Sequence, residues 1–351
     1  MIDWISCKAL TDASHLETGH IVSTDKDDVI LYDINKWEQM ELEGSSSRRI
    51  ALRPCEPSPA CRDRAYALDI PCPDTVLSFS GNPAKAAQGH NCWGPPPTQA
   101  EPLVLDVVRH LPQDSDIPPA MAIFDITRID IAIMIDLKTD RYVDQYIETI
   151  GRQSRSHQGR AMMAESTVYW GKNSRRWTLK AYNKHKELLV PGHGPTDPVL
   201  LRKCREATEG ILRMELTLRA LELERIKRVD DDLVLRYFAR VGVSGMRAYE
   251  NWNDIPLRGK ALDKFKLWLI GEPIRLDMPD RTFYRIRRQI LDACGADISL
   301  PPASAKDRFP ITDYDLTYLK AHIVPCTIAL ADTLWYPGRE WTSDHALRCA
   351  N

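Results

Sequence analysis

The sequence has no run of about 18 apolar residues, so no membrane-spanning helix is expected. Its nine cysteines contain no Cys-x-x-Cys pair and are irregularly spaced, which excludes the usual zinc-ribbon and dithiol redox frames. Cys55, Cys61, Cys72, His90 and Cys92 fall within one stretch, but their spacing matches no usual zinc pattern. There is no Gly-x-x-x-x-Gly-Lys-Ser/Thr phosphate loop, so no built-in ATP-driven motor is expected. Neither sign of charge is in excess: 47 Lys/Arg stand against 49 Asp/Glu, for a net charge of -2. That excludes a globally basic nucleic-acid coat and leaves room for a local basic groove, because opposite charges elsewhere cancel in the sum. The opening Met1-Ile2-Asp3-Trp4 lacks a basic leader followed by an apolar stretch, so no secretory signal is expected. Free thiols in a reducing cytoplasm are the simplest reading of the cysteines.

What is present is an ordinary globular composition over 351 residues, 43% hydrophobic and 27% charged. The length suffices for one large domain or two medium ones. Residues 1–43 are acid-rich with short strands, and 44–65 read as a polar loop. A strand over 75–80 leads to Asn82 as an N-cap, Pro83 as a first helical residue and Gly89 as a helix stop. Residues 99–111 predict a helix. Residues 127–136 alternate: Ile129, Ile131, Ile133 and Ile135 face one way, and Arg128, Asp130, Ala132, Met134 and Asp136 the other. A helix over 140–153 follows. Strands over 166–170 and 177–182 form a hairpin around a polar turn, and 212–219 alternates as 127–136 does. Past residue 230 the pattern is helical, over 233–241, 260–270, 281–293 and 313–321, with an extended tail over 323–335. The expected class is α+β: a mostly antiparallel sheet with helices over 1–229, then a smaller, mainly helical domain over 230–351.

The polar faces hold the candidate chemistry. Asp130 follows Arg128 by two residues, and Glu215 follows Arg213 by two, so each acid shares a face with its arginine. Such pairs serve either as surface salt bridges of small worth or as hard oxygen ligands for Mg²⁺ or Mn²⁺. In 177–184, alternation sets Thr178, Lys180, Tyr182 and Lys184 on one face. A tyrosine between two lysines sits in a positive field, which favours the phenolate and attracts phosphate; packing at a sheet edge is the plainer role. Residues 151–186 carry nine Lys/Arg against one acid, Glu165, with Trp170 and Trp177 interleaved. A single strand of nucleic acid suits such a strip, its phosphates on the cations and its bases on the rings. Lys172, Arg175 and Arg176 sit in the hairpin turn. Tyr142 and Tyr146, one helical turn apart, are alternative nucleophiles or packing residues.

These residues resemble a known family, the gene II replication initiators of filamentous phages (gene II/X family, rolling-circle initiator endonucleases). The resemblance rests on Asn82-Pro83-Ala84-Lys85 with Gln88-Gly89-His90-Asn91, on Thr127-Arg128-Ile129-Asp130, on Glu165 to Trp170, on Thr178 to Lys184 with His185 and Glu187, and on Arg213-Met214-Glu215. Met278 to Arg285 and Ile323-Val324-Pro325 are similar to the family's C-terminal part. It implies a relaxase-like α+β fold and nicking of the plus strand at a double-stranded, supercoiled phage origin, with later closure of the displaced single strand. Tyr182 is then the nucleophile that forms a 5′-phosphotyrosine, with Lys180 and Lys184 beside it. Asp130 and Glu215 hold Mg²⁺ or Mn²⁺. The His-hydrophobic-His metal pair of related nickases is missing from this sequence, so either the carboxylates serve alone or His90 joins them. Arg128, Arg213, Lys172, Arg175, Arg176, His185 and Trp170 are the expected DNA contacts. The resemblance also implies a host helicase and polymerase as partners, and the host bacterial cytoplasm as the location. Two rivals from other classes are a non-catalytic DNA-binding replication regulator and a metal-dependent hydrolytic nuclease with water as nucleophile.

Overall fold

The two alternating segments become the centre of a nine-stranded antiparallel sheet. The structure, a computed structural model, describes residues 1–41 except 15, 17, 18 and 37; 49–109; 120–156; 159–243 except 227 and 231; 255–299 except 271, 273, 276, 277 and 295; and 316–325, 330 and 334. Its strands are β1 (Ile2–Asp12), β2 (Gly19–Thr24), β3 (Ile30–Lys36), β4 (Glu38–Glu41), β5 (Arg49–Cys55), β6 (Val76–Gly81), β7 (Ile123–Asp136), β8 (Ser154–Ser156), β9 (Gly159–Arg160), β10 (Met162–Ala164), β11 (Thr167–Trp170), β12 (Trp177–Asn183), β13 (Ile211–Arg219) and β14 (Gly242–Val243). The helices are α1 (Pro59–Ala67), α2 (Pro83–Gln88), α3 (Ala100–Arg109), α4 (Asp140–Gln153), α5 (Lys184–Leu189), α6 (Pro198–Thr208), α7 (Ala220–Leu223), α8 (Leu233–Phe238), α9 (Gly259–Leu269), α10 (Asp280–Cys294) and α11 (Leu316–Ala321). The large sheet runs β10-β11-β12-β13-β7-β1-β6-β5-β4; β2 and β3 form a separate ribbon, and β14, β8 and β9 a small third sheet.

Register explains why one face of the sheet is greasy and the other charged. β7 and β13 pair with Ile131 opposite Leu216 and Ile133 opposite Met214, so the apolar positions of both strands stack on one side. There they meet Val143, Tyr146, Ile147 and Ile150 of α4 and Leu233 to Phe238 of α8 in one buried cluster. Full burial of each such side chain contributes roughly 1.5–3 kcal/mol. Trp170 and Trp177 complete this core, edge-on against Phe238 and Tyr237. A second cluster gathers β1, β5 and β6 against α2 and α3, and a third belongs to residues 255–298 alone. Among the described residues, no helix is long and apolar enough to cross a membrane.

Three expectations are corrected. The polar loop over 44–65 contains β5 and most of α1: Ile50 and Leu52 are buried, and Ser58 caps α1 by accepting from the Cys61 N–H. Lys184 does not extend its strand, because Asn183 accepts from the Lys186 N–H and starts α5. The boundary at 229/230 falls inside the main core, since Leu233, Val234, Leu235, Tyr237, Phe238 and Val241 pack there. The chain also returns to the sheet late, with Ile323 bridged to Ile135 and the Val324 N–H donating to the Met134 carbonyl. Most of the expected 323–335 tail lies outside the described residues.

The separate core over 255–298 carries its own acid-sensitive lock. Arg287 grips Asp297 through two contacts of 2.6 and 2.5 Å, and Ser299 donates from its N–H and hydroxyl to the same carboxylate. Burial opposes ionisation, but these donors outweigh it and hold Asp297 down to about 2, against an ordinary 3.8. A carboxyl depressed in the folded state stabilises above its unfolded pKa and loses that contribution as pH falls through the folded one. This unit therefore loses roughly 2 kcal/mol between about pH 4 and pH 2. Asp297→Asn removes that dependence in acid titrations followed by circular dichroism; an unchanged acid limb contradicts the assignment.

Candidate functional site

The charged face of the sheet is not a solvated surface. Tyr182 on β12 lies directly opposite Arg213 on β13, and Lys180 directly opposite Glu215. Asp130 on β7 pairs in register with Thr217, one alternation step from Glu215. A bulge in β1 between Ile2 and Trp4 turns Asp3 toward the same row. Loop 89–93, α5 and α6 cover one end of the face, where Cys92, Trp93, Leu188 and Cys204 pack on Met134 and Ile211. The other end is open: Lys180 and Arg128 keep 30% and 41% of their side-chain surface exposed.

Within this row every acid has its own cation. Asp3 meets Arg213 at 2.7 Å, Asp130 meets Arg128 at 2.6 Å, Glu187 meets Lys184 at 2.5 Å and Glu215 meets Lys180 at 2.7 Å. Arg128 reaches Asp130 with both Nε and Nη2, the two-pronged geometry of the strongest carboxylate pairs. The Tyr182 hydroxyl donates to Glu215 Oε2 at 3.4 Å, and Lys180 Nζ stands 5.4 Å from the Tyr182 ring. Asn91 joins the pieces. Its amide donates to Asp3, its Oδ1 accepts from Lys184 Nζ, and its carbonyl accepts from Arg213. Asn82, the cap of α2, also donates to Asp3.

Burial sets the electrostatics. It pushes the Glu215 carboxyl up to about 7; Lys180 and Arg213 pull it down, and Asp3 and Asp130 raise it. Asp130 is also raised by burial, although Arg128 opposes the rise. Asp3 goes the other way, because Arg213, Lys180 and Lys184 overcome its burial and hold it well below the usual carboxylate range. Tyr182 is pushed well above its ordinary value by burial and by Glu187, Glu215 and Asp3, against the pull of Arg213. The flanking lysines therefore do not make it a phenolate. They are spent on acids, and the tyrosine rests protonated.

The structure thus gathers Tyr182, Lys180, Lys184, Asp130, Glu215, Arg128 and Arg213 into one network, and it corrects four expected roles. Trp170 is fully buried and donates from Nε1 to the Ser154 hydroxyl, so it offers no face to a base. Arg213 is fully buried between Asp3 and Glu215, an internal counter-ion rather than a surface clamp. His90 is buried with Cys92 and Cys204 and does not join the carboxylates; theirs is the one cluster of three metal-ligating side chains among the described residues. Part of the basic strip is paired: besides Lys180 and Lys184, Arg176 pairs with Glu222 and Lys186 with Asp144, and His185 Nδ1 lies 2.5 Å from Asp140. Lys172 and Arg175 remain exposed at the hairpin turn, Lys172 over the Tyr169 ring. Tyr146 lies in the apolar core on the far face of the sheet and Tyr142 on the exposed side of the same helix, which separates both from the row. Asp3, Asn91 and Glu187 were not singled out as site residues. Asp3 and Asn91 meet Arg213 only through long-range pairing, and Glu187 signals itself locally, three residues after Lys184.

Tested against this geometry, Asp130 and Glu215 fit a hard divalent ion in donor type. They are buried oxygens from neighbouring strands, both raised in pKa chiefly by burial despite the cations beside them. Lys180 and Arg128 now hold those oxygens, so an ion would compete with the Lys180 ammonium.

An α+β frame with a tyrosine set among paired acids and cations belongs here to a class of replication proteins. The family described as the N-terminal part of the phage replication-associated protein, the gene II product, matches residues 1–254, and the chain belongs to it. The chain is 26% identical over 321 residues to the replication-associated protein of Enterobacteria phage I2-2, covering 86% of this chain and 88% of that relative. It is 31% identical over 122 residues to the protein of the same name from Salmonella phage IKe, and 33% identical over 116 residues to that from Enterobacteria phage fd. Those two alignments cover 33% and 32% of this chain and 28% of each relative.

Proposed function

We propose that the chain initiates rolling-circle replication of a phage genome by nicking the plus strand at its origin with Tyr182. The observation that carries this reading is the Tyr182 hydroxyl held against the Glu215 carboxylate inside a charge-balanced row that opens at Lys180 and Arg128. A phosphodiester entering from the open end meets those two cations first. Arg128 and Lys180 pair with its non-bridging oxygens and offset the charge that builds in the transition state. Tyr182 passes its proton to Glu215 as its oxygen bonds to phosphorus, and the bond to the 3′ oxygen breaks, that oxygen leaving as a hydroxyl with a proton taken from water. The result is a 5′-phosphotyrosine and a free 3′-hydroxyl, a primer for a host polymerase, with unwinding left to a host helicase. The covalent link stores the bond energy, so the reverse attack closes the displaced strand without ATP. Mg²⁺ or Mn²⁺, held by Asp130 and Glu215, supplies Lewis-acid polarisation of the phosphoryl oxygens when bound. Lys184 and Arg213 act from within the protein, holding Glu187, Asp3 and Asn91 in place.

The test uses supercoiled plasmid carrying the replicon's intergenic DNA, with Mg²⁺ or Mn²⁺, stopped with detergent. Metal-dependent open circles that retain protein until protease is added are the expected result. Nicks without attached protein favour a hydrolytic nuclease, and binding without cleavage favours a regulator; either outcome contradicts the proposal.

The exposed hairpin makes a separate, milder prediction. Removing Lys172 and Arg175 together weakens DNA binding and lowers the salt slope by about 1.5–2, the release of two phosphate counterions. Binding titrations at several salt concentrations check this, and an unchanged slope removes the hairpin from the interface.

A further inference from the structure

We propose that His90, Cys92 and Cys204 form a structural binding site for a borderline-soft divalent ion of the zinc class, which fastens loop 89–93 to α6. This site is separate from the hard-oxygen carboxylates and does not depend on the nicking reading.

The three side chains each present one ligand atom, and these atoms all lie within 4.8 Å of one another. Tetrahedral zinc with metal–sulfur bonds of about 2.3 Å needs ligand atoms about 3.7 Å apart, so closing by about 1 Å would fill three of the four positions, with a water in the fourth. Donor type decides between ions. One imidazole nitrogen and two sulfurs suit zinc and do not suit Mg²⁺ or Ca²⁺, which take oxygen.

Charge explains why such a site tolerates its surroundings. All three residues are buried, and Trp93, Met134, Leu188, Ile211 and Leu330 pack around the two cysteines. A divalent ion alone would be costly in that apolar shell. Two thiolates cancel its charge and leave a neutral unit. On binding, the two thiols release two protons to solvent and two metal–sulfur bonds form, with no change of oxidation state.

The consequence is positional. His90 and Cys92 flank Asn91, whose amide, side-chain oxygen and carbonyl hold Asp3, Lys184 and Arg213. The loop is also tied from within, as Gln88 Nε2 donates to the His90 and Trp93 carbonyls. Cys204 comes from α6, more than a hundred residues later in the chain. A metal bridging the two would fix Asn91, and through it the counter-ions of the tyrosine site, without touching DNA.

The experiment uses the full chain, purified under reducing conditions with Mg²⁺ in excess and no transition metal added. Inductively coupled plasma mass spectrometry is expected to find about one zinc per chain after gel filtration. Cys204→Ser should lose it, while Cys55→Ser, at a cysteine outside the cluster, keeps it. Zinc retained by Cys204→Ser overturns the proposal, as does wild-type protein without zinc that also fails to take up cobalt. Should the serine variants not fold, Co²⁺ added to metal-free wild type decides. Intense visible bands with a near-ultraviolet thiolate-to-cobalt transition support the site. Weak octahedral bands, or a Cys92–Cys204 disulfide in the reduced protein, overturn it.

Discussion

Tyr182→Phe lowers nicking and covalent adduct by at least about 10⁴-fold while DNA affinity stays within about twofold. The substitution removes one oxygen and leaves the ring where Lys180 and the sheet hold it. It leaves no buried acid stranded, because Glu215 keeps Lys180 at 2.7 Å and Arg213 at 3.6 Å. Stability therefore changes by no more than about 1 kcal/mol, and a kinetic loss cannot be blamed on unfolding. Rate measurements on the supercoiled substrate, with binding measured in parallel, check both halves. A variant that nicks within tenfold of the parent assigns the chemistry to another group.

Arg213→Met carries the largest expected cost in stability, roughly 3–5 kcal/mol in urea unfolding. Methionine fills much of the space but leaves Asp3 buried without its 2.7 Å partner and removes a cation from Glu215. The loss also acquires a direction in pH. With arginine present, the Asp3 carboxyl sits below its ordinary range, so it stabilises at neutral pH. Removing arginine takes the largest lowering charge from Asp3 and one from Glu215, whose carboxyl already stands at about 7, so both rise, and an acid raised in the folded state costs stability as pH climbs from its unfolded pKa to its folded one. The deficit of Arg213→Met is accordingly larger at pH 8 than at pH 5. Arg213→Lys recovers only part of it, because one ammonium cannot reach Asp3, Glu215 and the Asn91 carbonyl together. A loss below about 1 kcal/mol, or one independent of pH, contradicts the counter-ion role.

The centre of the sheet was legible because its strands alternate without interruption. Ile129 to Ile135 and Leu212 to Leu218 each place every second residue in one core. The helix after Asn82 was legible from chemistry rather than periodicity: the cap accepts from the Lys85 N–H, and Gly89 closes the helix at φ 78°. β5 was missed because only Ile50 and Leu52 mark its buried face within a stretch rich in arginine and proline. α1 was missed because its buried side is just Cys61 and Ala65. The site was half legible. Asp130, Glu215, Lys180 and Tyr182 share faces that alternation reveals. Alternation does not reveal whether a polar face is wet, and here the covering loop and helices come from distant parts of the chain. That covering turned a tyrosine expected as a phenolate into a protonated one and Arg213, an expected DNA contact, into an interior residue; Trp170 is interior because it lies on the opposite, apolar face. Asp3 stayed hidden because a bulge in β1, rather than any pattern, turns it toward Arg213.

The most direct measurement is the identity of the residue that carries DNA after cleavage. A single-stranded oligonucleotide spanning the nick site is cleaved by the protein, the adduct is digested with trypsin and nuclease, and the modified peptide is sequenced by mass spectrometry. The account predicts a phosphonucleotide on Tyr182, within the tryptic peptide Ala181-Tyr182-Asn183-Lys184. A nucleotide on Tyr142, Tyr146 or any other residue, or complete cleavage with no modified peptide, contradicts it.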